Sequence, residues 1–358
     1  MSPNIFKQTC EQAFDDMKAQ SAFYQPTEFW AEASEKIFEN LDSEGIANFR
    51  RASLPLSFFV PTYGQPGNGL GQTSKALIQS LANHINLSEK QKQTLNAMFT
   101  GRQQAEADYR VLLASVSSNA DTGLLSFSES EVGNPIEHFE FDGKKFSRSA
   151  LNYLLGLAFL NQFTPLSELR TVIEIGGGFG TLGEILTKTN NNVKYMDFDI
   201  APTLNVADYY LSNVFGRDNV GGYFRQETPE SAGKTARPLN VFGAWQIEAL
   251  DEPVDLFVNF ISFQEMEPEV VQNYLNHVDR VKTKWILLRN IREGKQTIKE
   301  HGFGVKDPIY TEDYKNMLPN YESVSNNVRP FGLKTLDGFH SELLLFRRKC
   351  QVAPSNRG

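Results

Sequence analysis

The stretch VIEIGGGFGTLGEIL, Val172 to Leu186, decides how the chain folds. It reads as a strand running into a glycine-rich turn and then into a helix, and in an α/β fold that turn is where a cofactor is held. Downstream, short apolar segments alternate with helical ones: TVIEI, VKYMDF, PLNVF, VDLFVN and WILLRN, each separated by a glycine or proline turn. Three of the gaps are long enough for a crossover helix, so the pattern predicts a parallel sheet with helices on both faces. The last segments, YESVSNNV and SELLLFRRK, read as an antiparallel pair.

Upstream, residues 1 to about 118 read as mainly helical from apolar spacing and caps. Thr27 caps EFWAEASEKIFENL, and Ser88 with Gln91 forms a capping box before SEKQKQTLNAMF. ADYRVLLASV is a further helix. SLPLSFFVPTYGQPGNGLG, with three prolines and several glycines, predicts a long irregular loop. NADTGLLSFSESEVGNPIEHFEFDGKKF reads as a second loop, in which Gly133-Asn134-Pro135 is either a lid or a turn. It leads to a helix with Leu151, Leu154, Leu155, Ala158 and Phe159 on one face. The organisation expected is a helical region at 1–145, an α/β domain at 146–349 and a tail at 350–358.

Composition narrows the function classes. The chain has 358 residues, a formal net charge of -8 and only two cysteines, Cys10 and Cys350. Its mean hydropathy is -0.38 and its isoelectric point about 5.3. An acidic chain without basic clusters is a poor partner for a nucleic-acid backbone. Two distant cysteines form no disulfide framework, no apolar run approaches a membrane span, and the start lacks a signal-peptide core. A cytoplasmic protein acting on a small molecule is the expectation, with a homo-oligomer left open. No His/Asp cluster has metal-ligand spacing, so the set of expected metal ligands is empty.

The glycine turn satisfies two fingerprints. From Gly178, GFGTLG is a formal G-x-G-x-x-G, the dinucleotide pattern. From Glu174, EIGGGFG is the acidic-x-G-x-G-x-G pattern of class I S-adenosylmethionine (SAM) methyltransferases, with Gly176, Gly177 and Gly178 letting the backbone approach the ligand. Asp199, about 20 residues further on, suits ribose hydroxyls in either case. Glu174 discriminates, because an acid inside an apolar strand is costly to bury without a partner. A pyrophosphate gains nothing from it, whereas a sulfonium and an ammonium do. Methyltransferases acting on amino groups of bases or glutamine carry N-P-P-Y-like residues after the fourth strand. Here the residues are Asn259-Phe260-Ile261-Ser262, so such an acceptor is not expected.

Taken in order, EIGGGFGTLGEIL, DIAPTLNVADYYLSNVFG and DLFVNFISFQEM resemble the sugar O-methyltransferase family of bacterial surface-polysaccharide loci. FWAEASEKI, FRRASLPLSFFVPTYG, GNPIEHFEFDGKKFSRSALNYL and FHSELLLFRR extend the resemblance over nearly the whole chain. DFDIAP departs from the expected shorter D-L-P, which leaves Asp197 and Asp199 as alternatives for the ribose; Asp199, nearer the strand end, is preferred. The resemblance implies a class I methyltransferase fold, α/β with a Rossmann-like seven-stranded sheet and an N-terminal helical region. It implies SAM as cofactor and an acceptor hydroxyl on a sugar, nucleotide sugar or glycan end.

Such chemistry is an in-line displacement in which positioning supplies much of the rate and a general base takes the hydroxyl proton. The candidate bases are Glu265 in the loop after the fourth strand, His340 in GFHSE and His301 in HGFGV. Glu174, the three glycines, Asp199 and Asn259 are the candidate cofactor residues, with Trp245 and Gln246 placed to contact adenine. Arg289, Asn290 and Arg292 follow the fifth strand and could meet a phosphate or a sugar. The rival readings are an NAD(P)-dependent oxidoreductase and a non-catalytic SAM-binding partner protein.

Overall fold

The structure, a computed structural model, describes residues 3–59, 72–116, 123–190, 192–298, 304–334 and 339–350. Six helices come first: α1 (Pro3–Lys18), α2 (Glu28–Glu44), α3 (Ser53–Phe59), α4 (Gln72–His84), α5 (Glu89–Phe99) and α6 (Arg102–Val116). Both caps read from the sequence form. The Thr27 hydroxyl accepts from the Trp30 amide, and Ser88 and Gln91 exchange hydrogen bonds ahead of α5. The segment expected to be irregular starts instead as α3, with Pro55 in the first turn, where its missing N–H leaves nothing unpaired. Its remainder, 60–71, lies outside the described residues.

The second expected loop contains a hairpin, β1 (Phe139–Phe141) and β2 (Lys144–Phe146). Asp142 and Gly143, at φ 49° and 72°, make the tight turn that this dipeptide favours. Ser147 then caps α7 (Arg148–Leu160) by accepting from the Ala150 amide. The predicted apolar stripe of α7 is buried, and most of its other side chains are too, because the helix lies between the N-terminal region and the sheet.

From there strands and helices alternate: β3 (Thr171–Ile175), α8 (Thr181–Thr189), β4 (Lys194–Asp199), α9 (Thr203–Phe215), β5 (Val220–Gly222), α10 (Pro229–Gly233) and β6 (Leu239–Gly243). After them come β7 (Leu256–Phe260), α11 (Pro268–Arg280), β8 (Trp285–Ile291), α12 (Thr311–Met317), β9 (Tyr321–Asn327), β10 (Leu333–Lys334) and β11 (His340–Arg348). The sheet order is β5-β6-β4-β3-β7-β8-β11, with β9 and β10 both on the outer edge of β11. Pairs from β5 to β8 are parallel, and β11 runs antiparallel to β8 and β9. This is the α/β, class I methyltransferase Rossmann-like fold with its N-terminal helical region. The sheet has nine described strands rather than seven, since the three-residue β5 and the two-residue β10 are added at its edges.

Side chains of β3 alternate between the two faces. Val172 packs with α7, α8 and α9, while Ile173 and Ile175 pack toward α11. N-terminal residues such as Phe6, Leu41, Phe49 and Leu112 belong to the same core as Val172. The chain builds β4 to β6 on one side of β3 and then returns to place β7 on the other. The strand order therefore reverses between β3 and β7, and a crevice opens beyond their carboxyl ends.

Candidate functional site

A cavity of about 760 Å³ occupies that crevice, a volume within the range of small-molecule sites. Gly176, Gly177 and Gly178 form part of its wall. Gly176 and Gly178 have φ of 70° and 65°, a backbone that side chains rarely adopt. A Cβ on Gly176 would lie 2.4 Å from Ser262 Oγ, and one on Gly177 would lie 2.6 Å from Asp197 Oδ1 and 2.8 Å from Glu174 Oε2. At Gly178 a Cβ would meet no protein atom within 4 Å, only the open space of the cavity. Glycine is thus required at the first two positions by neighbours, and at the third by its backbone conformation.

Three carboxylates press on this turn from behind. Asp199 lines the cavity; its Oδ2 accepts from the Gly178 amide at 3.1 Å and its Oδ1 from the Ile200 amide at 2.7 Å. Asp197 is fully buried, with Oδ1 accepting from the Gly177 amide at 3.1 Å and Oδ2 without a partner. Glu174, also fully buried, accepts from the hydroxyls of Tyr153 at 2.7 Å and Tyr195 at 2.5 Å. Burial pushes Glu174 up to about 7 against those two hydrogen bonds, and the Asp199 charge adds to the effect. Burial also lifts Asp199 to about 7, opposed by the Ile200 and Gly178 amides. Asp197 is driven well above the carboxylate range by burial and then by the charges of Asp199 and Glu174. No cation among the described residues pairs with any of the three.

On the far side of the crevice, the loop after β7 is held by side-chain hydrogen bonds. Asn259 Nδ2 donates to the Ile175 carbonyl at 2.9 Å and to Ser262 Oγ at 2.5 Å, while its Oδ1 accepts from the Phe263 amide. Asn290 Oδ1 accepts from the Gln264 amide, and Gln264 Oε1 accepts from the Ile291 amide. Ile261 at the head of this loop has φ 78°, a strained value for a β-branched residue. Such strain persists only where the surroundings impose it, and it concentrates at ligand sites. The loop delivers Glu265 to the cavity wall, where Oε2 accepts from Trp30 Nε1 at 2.9 Å and Oε1 pairs with Lys295 Nζ at 2.9 Å.

Several expected site residues stand elsewhere. Glu174 is not in the cavity wall; Gly177 and Tyr153, which it meets, line the cavity instead. Asn259 pins the loop and is not in the wall. Trp245 does not line the cavity; it packs edge-on to Tyr223, and Ala244 faces the cavity in its place. Gln246 folds back to accept from the Gly243 amide and to donate to the Glu227 carbonyl. His340 is bonded to Glu293. Its neighbours Phe339 and Ser341 line the cavity, so strand alternation turns His340 to the other face. His301 lies outside the described residues. Arg289 is buried against Asn152 and the Phe331 carbonyl, and Arg292 pairs with Glu342. Gly133-Asn134-Pro135 is a turn whose Gly133 carbonyl receives the Arg50 amide, away from the cavity.

Three residues of the site were not anticipated: Trp30 from α2, Tyr153 from α7 and Lys295 after β8. Trp30 follows the Thr27 cap in an amphipathic helix, where nothing in the local pattern separates it from a core aromatic. For Tyr153 there was a signal, since an acid buried in a strand requires donors from the next layer.

No protein-family model matches the chain, and no curated protein resembles it in sequence. Among solved structures, the magnesium protoporphyrin IX methyltransferase ChlM from Synechocystis PCC 6803 with bound SAH is similar at 14% identity. The match covers 56% of this chain and 84% of that one, with a TM-score of 0.40. The mitomycin 7-O-methyltransferase MmcR is similar at 12% identity, over 90% of this chain and 99% of that one, with a TM-score of 0.38. The pyocyanin biosynthetic protein PhzM matches at 12% identity over 56% and 58%, with a TM-score of 0.35.

Proposed function

We propose that the chain is a SAM-dependent O-methyltransferase whose acceptor is a hydroxyl of a sugar, a nucleotide sugar or a glycan end. The observation that carries the cofactor reading is the group of three buried carboxylates at the glycine turn, none of which forms a salt bridge with a cation among the described residues. A cationic ligand suits such a site, and a pyrophosphate would meet like charge there. That favours SAM over a dinucleotide. The residues fit the group: Gly178 leaves the space that a ligand backbone approach needs, and Asp199 presents lone pairs to a ribose diol.

When bound, SAM supplies the methyl group for in-line displacement. Glu265 is the general base; it receives the proton of the acceptor hydroxyl at a carboxylate oxygen. Each of its oxygens still has a lone pair after bonding Trp30 or Lys295. Those two partners fix the carboxylate and keep it from rotating away. Trp30, Ser57, Phe58 and Gln104 bring the 1–145 region into the cavity wall, which supports assigning that region to acceptor binding. Ring faces such as Phe58 suit the apolar face of a pyranose. The resemblance of the chain to sugar O-methyltransferases supports the sugar assignment. No helix among the described residues is long and apolar enough to cross a membrane; a cytoplasmic enzyme acting on a soluble acceptor is part of the proposal.

The test is incubation with methyl-labelled SAM and a panel of free sugars and nucleotide sugars. Label on a sugar oxygen, lost in Glu265→Gln, supports the reading. Label on an amine, or transfer undiminished in Glu265→Gln, overturns the acceptor class or the base respectively.

A further inference from the structure

Binding SAM is only half of what such a site must do, because the product of transfer, S-adenosylhomocysteine (SAH), differs from SAM by a methyl and a positive charge. The three carboxylates are arranged so that charge is the property they meet. Asp197 and Glu174 converge on one point, since a Cβ on Gly177 would fall within 2.8 Å of both. Gly177 itself lines the cavity, so a single thickness of main chain separates the two acids from the ligand. Asp197 Oδ2 is a fully buried oxygen with no hydrogen-bond partner, and such an atom is costly unless something else satisfies it. Asp199 stands in the wall beside them.

We infer that Glu174, Asp197 and Asp199 form a charge-reading element that gives the cationic cofactor preference over its neutral product. The inference rests on the SAM reading and deepens it. Free of ligand, the cluster retains protons, because neighbouring carboxylates in a dry site cannot all ionise. A sulfonium in the cavity supplies the missing positive charge, so the cluster gives up a proton as SAM binds. SAH shares the ammonium but has no sulfonium, and leaves the proton in place. The groups that face the cluster do not replace that charge. They are the Tyr153 hydroxyl from α7, the Tyr195 hydroxyl from β4 and the Tyr274 ring from α11, and burial raises Tyr195 and Tyr274 so that both stay neutral.

With Glu174 and Asp199 titrating near 7 in the ligand-free protein, release of one proton makes the SAM:SAH affinity ratio rise about tenfold between pH 6 and pH 8. The experiment is isothermal titration of the full chain with SAM and, separately, with SAH at pH 6, 7 and 8. Each titration is repeated in two buffers of different ionisation enthalpy, which counts protons without any variant. Near pH 7, SAM should release about half a proton more than SAH does, and Glu174→Gln should flatten the pH dependence of the ratio. A ratio constant within twofold from pH 6 to 8, or equal proton counts, overturns this inference and leaves the cofactor assignment standing. Failure of both ligands to bind overturns the assignment and the inference together.

Discussion

Replacing Gly178 with alanine separates what the backbone requires from what the ligand requires. The φ of 65° at Gly178 puts an alanine in the left-handed region, which costs about 1–2 kcal/mol. The lower entropy of the unfolded alanine chain returns part of that, so the loss of stability should be about 1 kcal/mol, a shift of a few °C in Tm. The added Cβ meets no protein atom within 4 Å, so no further folding penalty follows. Gly178 lines the cavity, so under the proposed SAM reading the added methyl meets the cofactor. One methyl forced into a filled site costs about 1–3 kcal/mol, equivalent to about a 5- to 150-fold weaker Kd. Gly143 supplies the control: it has φ 72°, an equally empty Cβ position, and a place in the β1–β2 turn outside the cavity. Gly143→Ala should therefore match the stability loss and leave the affinity for SAH unchanged. Thermal unfolding and calorimetry of both variants decide the matter. If Gly178→Ala binds SAH within twofold of the unmodified protein, the glycine turn does not face the cofactor.

Four more outcomes follow from the same geometry. Glu265→Gln should lower turnover by about 10²–10⁴-fold with SAH affinity retained, read from methyl transfer and calorimetry. Trp30→Phe keeps the ring but removes the donor to Glu265, and should cost about tenfold in turnover, more in kcat than in KM; an unchanged kcat would remove Trp30 from the site. Arg50→Met leaves Glu129 and Glu137 buried beside it without their cation, which should cost about 3–5 kcal/mol in denaturant unfolding. The last concerns pH. Glu174 and Asp199 have folded pKa values above their unfolded ones, so the unfolded state binds fewer protons, and ligand-free stability should fall as pH rises from about 4.5 to about 7. Glu174→Gln should reduce that decline in a series of Tm measurements.

Strands were legible because each face of a parallel strand is buried, so apolar runs such as TVIEI and WILLRN correspond to β3 and β8 almost residue for residue. Asp199 was distinguishable from Asp197 because only the acid at the strand end can reach the crevice. The added edge strands β5 and β10 were not legible, since two or three residues leave no period to detect. Trp245 and Gln246 follow a strand at the crevice end, as a ligand contact would. Local turn chemistry instead took Gln246 as an acceptor for the Gly243 amide, and Trp245 found a ring partner. His340 failed by one residue of register, which in a strand is the difference between the two faces. Trp30 and Lys295 meet Glu265 across sequence separations that no local pattern encodes.

The most direct test of the central claim is calorimetric titration of the purified protein with SAH and, separately, with NAD⁺ and NADP⁺. Micromolar binding of SAH alone, abolished in Asp199→Ala, is the result predicted. Binding of a dinucleotide in its place would mean that GFGTLG, read from Gly178, is the operative motif and that the three carboxylates serve something other than a sulfonium.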